Sequence, residues 1–98
     1  MNQSNAQQQT TLETVEVWRK RLTFRAWHRG TREMDLMMGS FADRNVGNFG
    51  TVELQAFEDI LTENDPDVYD WIIGVKPLPE NLKSPVMEML LQHRFCGV

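Results

Sequence analysis

The sequence predicts an all-α protein, a small single-domain five-helix bundle, and three observations carry that expectation. Apolar residues recur at i, i+3 and i+4 through most of the chain. No stretch alternates apolar and polar residues as a half-buried strand does. Helix start and stop signals divide the chain at short intervals, as the connections of a helical bundle require. At 98 residues there is material for one modest core, burying about 60–65% of the unfolded surface.

Residues 1–10, rich in Asn and Gln, have nothing to bury and are expected to form a disordered tail, with residues 11–98 as the folded domain. Thr10 and Glu13 stand at capping-box spacing, which predicts a first helix from about Thr11 to Arg29. This helix is apolar on two sides. Val15, Trp18, Leu22 and Ala26 share one face, and Val17, Phe24 and Trp27 lie roughly opposite. One side must pack on the core; the other either completes that core or is an aromatic partner surface, the reading favoured for so small a domain.

Gly30 ends the first helix, because a left-handed residue there suits a side chain without Cβ. A second helix over about 31–45 carries the stripe Met34, Met37, Met38 and Phe41. Gly47, Asn48 and Gly50 break the chain, and a third helix over about 52–63 buries Leu54, Phe57, Ile60 and Leu61. Asn64-Asp65-Pro66-Asp67 starts the fourth, with Asp65 as the expected N-cap and Pro66 at the first helical position. Val68, Trp71 and Ile72 share its buried face, and Gly74 ends it. Lys76 to Pro79 must be extended around its two prolines. Ser84-Pro85 opens the last helix, with Val86, Met89, Leu90 and Leu91 apolar as far as about Arg94.

Net charge is −4, with Arg19, Lys20, Arg21, Arg25, Arg29 and Arg32 gathered early and the acids from Glu53 to Asp70 gathered later. Two readings stay open: the two clusters pair within the fold, or they steer a larger protein partner. A single cysteine excludes an internal disulfide and fits a reducing compartment. No apolar run approaches the roughly 18 residues of a membrane span, and the first arginine is Arg19, so neither a signal peptide nor an arginine-rich transit sequence is expected. These features point to the cytoplasm.

Catalytic signals are weak. His93, Cys96 and His28 fall short of the four ligands of a structural zinc site. His93 is expected as a packing residue, Cys96 has no recognisable base, and no glycine-rich phosphate loop follows a strand. No metal, no tightly bound cofactor and no catalytic group are expected. The informative stretch is Arg29-Gly30-Thr31-Arg32-Glu33-Met34-Asp35, a glycine corner with Glu33 in the first turn of the following helix.

Arg29-Gly30-x-x-Glu33-x-Asp35 on a basic first helix, then Phe41, then Leu61-x-x-Asn64-Asp65-Pro66-Asp67-x-Tyr69-x-Trp71, resembles the succinate dehydrogenase assembly factor family, called SdhE in bacteria. The likeness spans about Arg21 to Leu91; Asn64 stands where an acid is common, and the N-terminal extension is longer than in the shortest members. The resemblance implies a five-helix bundle that promotes covalent attachment of FAD to the flavoprotein subunit of succinate dehydrogenase, and in some bacteria of fumarate reductase. It implies that FAD and the histidine receiving it belong to the client. The Arg-Gly-x-x-Glu corner would then face that client, with Arg29, Gly30, Glu33, Arg25, His28, Asp35 and Trp27 as partner-binding residues. Gly30 would allow close backbone approach, Arg29 would hydrogen-bond across the contact, and Glu33 would orient Arg29 or pair with the client. The absence of a transit sequence looks like a bacterial member, expected as a monomer with no nucleic-acid partner and no membrane insertion. The alternatives are a nucleic-acid-binding regulator using the basic first helix, or a helical adaptor unconnected with flavoproteins.

Overall fold

The computed structural model describes residues 13–93. Among these residues the chain forms five α-helices and no strand: α1 Val15–Trp27, α2 Arg32–Asn45, α3 Thr51–Thr62, α4 Asp65–Ile72 and α5 Pro85–Gln92. Short 3₁₀ turns at Val46–Asn48 and Glu80–Leu82 complete the path. None of the helices is long and apolar enough to cross a membrane.

The first helix differs from expectation at both ends. Thr10 lies outside the described residues. Thr14 supplies the N-cap, its hydroxyl accepting from the Val17 N–H at 3.1 Å, so α1 starts at Val15. Glu13 does not serve a capping box; both its oxygens are held by the Arg21 guanidinium at 2.8 and 3.0 Å. The helix stops at Trp27, two residues before the predicted end. The Asp35 carboxylate draws the next two backbone groups aside, accepting from the N–H of Arg29 at 2.6 Å and of Gly30 at 3.2 Å. Gly30 has φ +126°, the positive region expected of it, but it lies two residues beyond the C-cap His28.

Leu22 and Ala26 of α1 are fully buried, and Val15 and Trp18 pack against the core beside them. The opposite side divides. Val17 and Phe24 are 51% and 63% exposed. Trp27, however, lies flat over Gly39 of α2, where a Cβ would come within 2.1 Å of its ring. That glycine lets α1 and α2 approach across a tryptophan, and α2 is the main packing partner of α1.

The methionine stripe of α2 faces inward as expected, with Met34, Met38, Phe41 and Ala42 buried and Met37 half-buried. Its first turn is set by Thr31, whose hydroxyl accepts from the Met34 N–H at 3.3 Å. The glycine-rich break also feeds the core: Val46 and Phe49 are buried within it, and Phe49 joins Phe41 and Phe57 with ring centroids 5.4–6.4 Å apart. The four expected residues of α3 are buried, and α3 packs on α1 and α5. Its N-terminus is closed by Glu53, whose carboxylate accepts from the Gly50 N–H at 2.9 Å.

Further expectations are corrected. The N-cap of α4 is Asn64, which accepts from the Asp67 N–H at 3.0 Å, and Asp65 is already helical. The Asp65 carboxylate is engaged elsewhere, as described below. In α5 the buried positions are Val86, Met87 and Leu90, whereas Met89 is 39% exposed. The run Val86-Met87-Glu88-Met89-Leu90 admits either methionine on the inner face, and contact with α3 and α4 selects Met87. Gly74 ends α4 at φ +82°. Of the segment expected to be extended, Lys76 instead lies in a bend with its N–H donating to the Asp70 carbonyl at 3.3 Å, and Pro79 is extended at φ −63°, ψ 145°. His93 packs as expected, edge-on to Phe41 at 5.5 Å, with Nε2 2.8 Å from the Ser40 hydroxyl. Cys96 and Arg94 lie outside the described residues.

Gly39→Ala should test the α1–α2 approach. Alanine is the better helix former by about 1 kcal/mol, but overpacking of this kind costs about 1–3 kcal/mol. Thermal unfolding followed by circular dichroism should show a lower Tm than wild type; an unchanged or raised Tm would mean that Trp27 moves aside freely.

Candidate functional site

Arg21, Arg25 and Arg29 recur every four residues and so lie along one side of α1 and the turn after it. An acid-bearing segment runs alongside them. Glu58 of α3 accepts from Trp18 Nε1 at 2.9 Å, Arg21 at 3.0 Å and Arg25 at 3.4 Å. The Arg21 guanidinium, opposed by partial burial and aided by the Trp18 indole, holds the Glu58 carboxyl below the usual carboxylate range. The Glu13 hydrogen bonds, and after them the Glu58 pairing, raise the Arg21 pKa. Further along, Lys76 and then Asn64 lower Asp67, and Asp67 in turn raises Lys76.

Arg29 sits at the end of this ladder, and its environment is unlike that of a surface charge. Its side chain is 9% exposed. Nε donates to Asp65 Oδ1 at 2.8 Å, and the two terminal nitrogens donate to the carbonyls of Leu61 at 2.6 Å and Glu63 at 2.7 Å. Those carbonyls close the C-terminal end of α3, where a cation is favoured by the helix dipole. One planar guanidinium therefore joins the α1–α2 corner to the α3–α4 corner through three acceptors, a geometry that a lysine ammonium cannot reproduce. The hydrogen bonds predicted for Arg29 across a partner contact are made inside the chain. Removing its carboxylate partner would cost about 1–3 kcal/mol.

The other predicted residues fall into two groups. Asp35 is turned inward, holding the Arg29 and Gly30 N–H groups. Arg25 is shared between Glu58 and the Leu61 carbonyl, and Trp27 packs on Gly39 while its indole N–H donates to Asp43 at 3.2 Å. Gly30, Glu33 and His28 remain exposed. His28 stacks on Phe24 with centroids 3.9 Å apart, and its Nδ1 lies 2.7 Å from the Phe24 carbonyl oxygen. Space around Gly30 is open, but φ +126° disfavours any L side chain. A substitution such as Gly30→Arg would therefore strain the corner as well as block it.

Glu33 borders an open cleft of about 360 Å³ between the first turns of α2 and α4. Thr31, Glu33 and Met34 form one wall, and Asp65, Pro66 and Tyr69 form the other. Its surface is apolar with two carboxylates at hand. Arg29 ties the corner to the cleft, bonding Asp65 of one wall through its side chain and Asp35, in the first turn of the helix that bears the other wall, through its N–H.

Sequence reasoning found the corner but not its counterpart. Asp65 read as an N-cap, Pro66 as the first helical position and Glu58 only as one of the later acids. The i, i+4 arginine spacing was a usable signal that a helix carrying acids must lie beside α1. Which helix would do so is a tertiary fact. Of the two charge readings, the structure supports pairing within the fold for Arg21, Arg25 and Arg29, which removes much of the basic surface that a nucleic-acid reader would need. Among the described residues, no group of three or more His, Cys, Asp or Glu side chains could hold a metal.

Among the described residues the fold is a strand-free helical bundle in which Arg21, Arg25 and Arg29 are engaged internally and a cleft lies beside an exposed glycine corner. The family model described as flavinator of succinate dehydrogenase matches residues 20–94, and the chain belongs to that family. It is 40% identical over 74 residues to the FAD assembly factor SdhE of Acetobacter pasteurianus, covering 76% of this chain and 68% of that protein. It is 37% identical over 88 residues to the mitochondrial succinate dehydrogenase assembly factor 2 of Debaryomyces hansenii, covering 87% of this chain and 62% of that one. The corresponding protein of Dictyostelium discoideum is 32% identical over 79 residues, with 81% and 56% covered. The chain thus spans little more than half the length of these mitochondrial relatives. No solved structure matches it.

The Glu58 pairing sets a pH dependence. A carboxyl with a depressed folded pKa contributes stability above its unfolded value, about 4.3, and loses it as pH falls through the folded value. The Tm should therefore fall as pH is lowered past about 4.3. Glu58→Gln should have a lower Tm at pH 7 and a flatter profile at acid pH; parallel profiles would show that the pairing contributes no linkage.

Proposed function

We propose that this protein docks on the flavoprotein subunit of succinate dehydrogenase and promotes covalent attachment of FAD to it. The observation that carries this reading is the corner itself. Arg29 and Asp35 are consumed in shaping it, so the Gly30 backbone and the Glu33 carboxylate are presented beside an open cleft. A rigid surface of that kind accelerates a reaction by holding a client in a reactive arrangement, and orientation alone supplies large effective concentrations. In this reading the protein is a non-catalytic assembly factor, and the flavin and its histidine acceptor are the client's.

FAD itself is poorly suited to the cleft. The Glu33 and Asp65 carboxylates beside it would repel a diphosphate, and the described residues contain no strand from which a dinucleotide-binding turn could spring. His28 and Phe24, exposed beside the corner, extend the surface offered to the client. The flavoprotein of fumarate reductase is a second client under the same reading. The protein would act as a cytoplasmic monomer.

The test is a flavinylation assay. Apo flavoprotein subunit is incubated with FAD, with and without this protein, and covalent flavin is read by in-gel fluorescence after denaturing electrophoresis. The protein should raise covalent flavin clearly. Glu33→Ala should reduce that gain by an order of magnitude or more, as loss of a well-placed contact does, while melting stays close to wild type. A competent client that gains nothing would refute the function. A Glu33→Ala variant that unfolds would make Glu33 structural.

A further inference from the structure

We infer that Asp65 is a positioning residue for client binding, setting through Arg29 the separation of the two walls between which the client is received. The inference rests on the docking function proposed above and adds a residue and a mechanism to it. Asp65 lies on the α4 wall of the cleft, and Glu33 lies on the α2 wall. One continuous set of bonds runs from Asp65 to Asp35, which shares the first turn of α2 with Glu33. The Asp65 carboxylate accepts from Arg29 Nε at 2.8 Å, and the Arg29 and Gly30 N–H groups donate to Asp35 in the first turn of α2 at 2.6 and 3.2 Å. Arg29 also fixes the chain that leads into α4, through the Leu61 and Glu63 carbonyls at 2.6 and 2.7 Å.

Each wall is a helix start whose direction is decided by this set of bonds. Thr31 and Asn64 cap the two helices locally, each accepting from the N–H three residues on. Those local caps define where each helix begins, but neither crosses the cleft. Of the bonds just described, those of Arg29 do, and the Arg29 and Asp65 side chains are only 9% and 18% exposed. A pair so enclosed is well placed to position and poorly placed to contact a partner. A shift of about 1 Å between interacting groups is enough to cost two orders of magnitude in an oriented reaction. Asp65 therefore acts on Glu33 at a distance, by keeping its wall in register with the wall of Pro66 and Tyr69.

The experiment is a double-mutant cycle on affinity, using full-length protein and the apo flavoprotein subunit of succinate dehydrogenase, with Kd measured by titration calorimetry below the Tm of every variant. The wild-type pair is measured first, together with its gain in covalent flavin. If wild type neither binds nor flavinylates a competent client, the function falls and this inference with it. With wild type active, Asp65→Ala should weaken binding on the order of ten-fold, and Asp65→Asn, which retains the Oδ1 acceptor for Arg29, should recover most of that loss. The Asp65→Ala, Glu33→Ala double variant should bind no more than about two-fold more weakly than Glu33→Ala alone, because both changes disable the same cleft.

Multiplied effects in the double variant, or wild-type affinity in Asp65→Ala, would overturn the inference while leaving the function standing. So would an Asp65→Asn variant as weak as Asp65→Ala, since the client would then be meeting the negative charge itself. Should Asp65→Ala fail to fold, Arg29→Lys decides the matter. It keeps the charge but cannot span three acceptors, so weakened binding supports positioning and wild-type binding refutes it.

Discussion

The largely buried guanidinium of Arg29 is the constraint on which the functional end of this molecule depends. Its side chain closes the end of α3 and ties down the entry to α4, while its backbone N–H, held by Asp35, anchors the turn that leads into α2. A charge so enclosed is tolerated only when its donors are satisfied, and here a carboxylate and two helix-terminal carbonyls satisfy them. The geometry follows from the planar fork of arginine, which can address acceptors in separate directions at once. The exposed part of the corner, Gly30 and Glu33, is therefore a surface supported from beneath by a polar network.

The same logic extends along α1. Arg21 and Arg25 converge on Glu58, and Trp18 adds its indole N–H, so one carboxylate gathers three donors on the flank of the core. Pairs of this exposure contribute modestly when taken singly. Their larger effect is to set the position of α3 along α1, which the apolar contacts alone leave less defined because hydrophobic burial is not directional. The apparent division of the sequence into a basic and an acidic half is largely the imprint of this internal pairing. Exposed near the corner are the Phe24–His28 stack, Arg32 and the Glu33 carboxylate, a surface of mixed character.

Much of the architecture was legible because helical periodicity is a local property. The buried set of α3 could be read residue by residue, as could the methionine stripe of α2 and the positive φ of Gly30. Errors fell where two local solutions were nearly equivalent. Either Met87 or Met89 could face inward from α5, and either Asn64 or Asp65 could cap α4. In both cases a contact from a distant part of the chain made the choice: α3 and α4 against α5, and Arg29 against Asp65. The early end of α1 has the same origin, since Asp35, eight positions beyond the helix end, takes the N–H groups that would otherwise have followed it.

The sequence by itself determined the helix content, the inner faces and the identity of the corner, because spacing, capping and glycine conformation act within a few residues of chain. Tertiary structure decided what the corner's residues do. The family resemblance implied partner contacts for Arg29 and Asp35, but Arg29's side-chain acceptors lie within the chain, 32 to 36 positions away. The cleft is likewise made of two helix starts remote in sequence. Whether a charged side chain faces a partner or supports the surface that does is settled by which helix ends are brought together, and no local pattern encodes that.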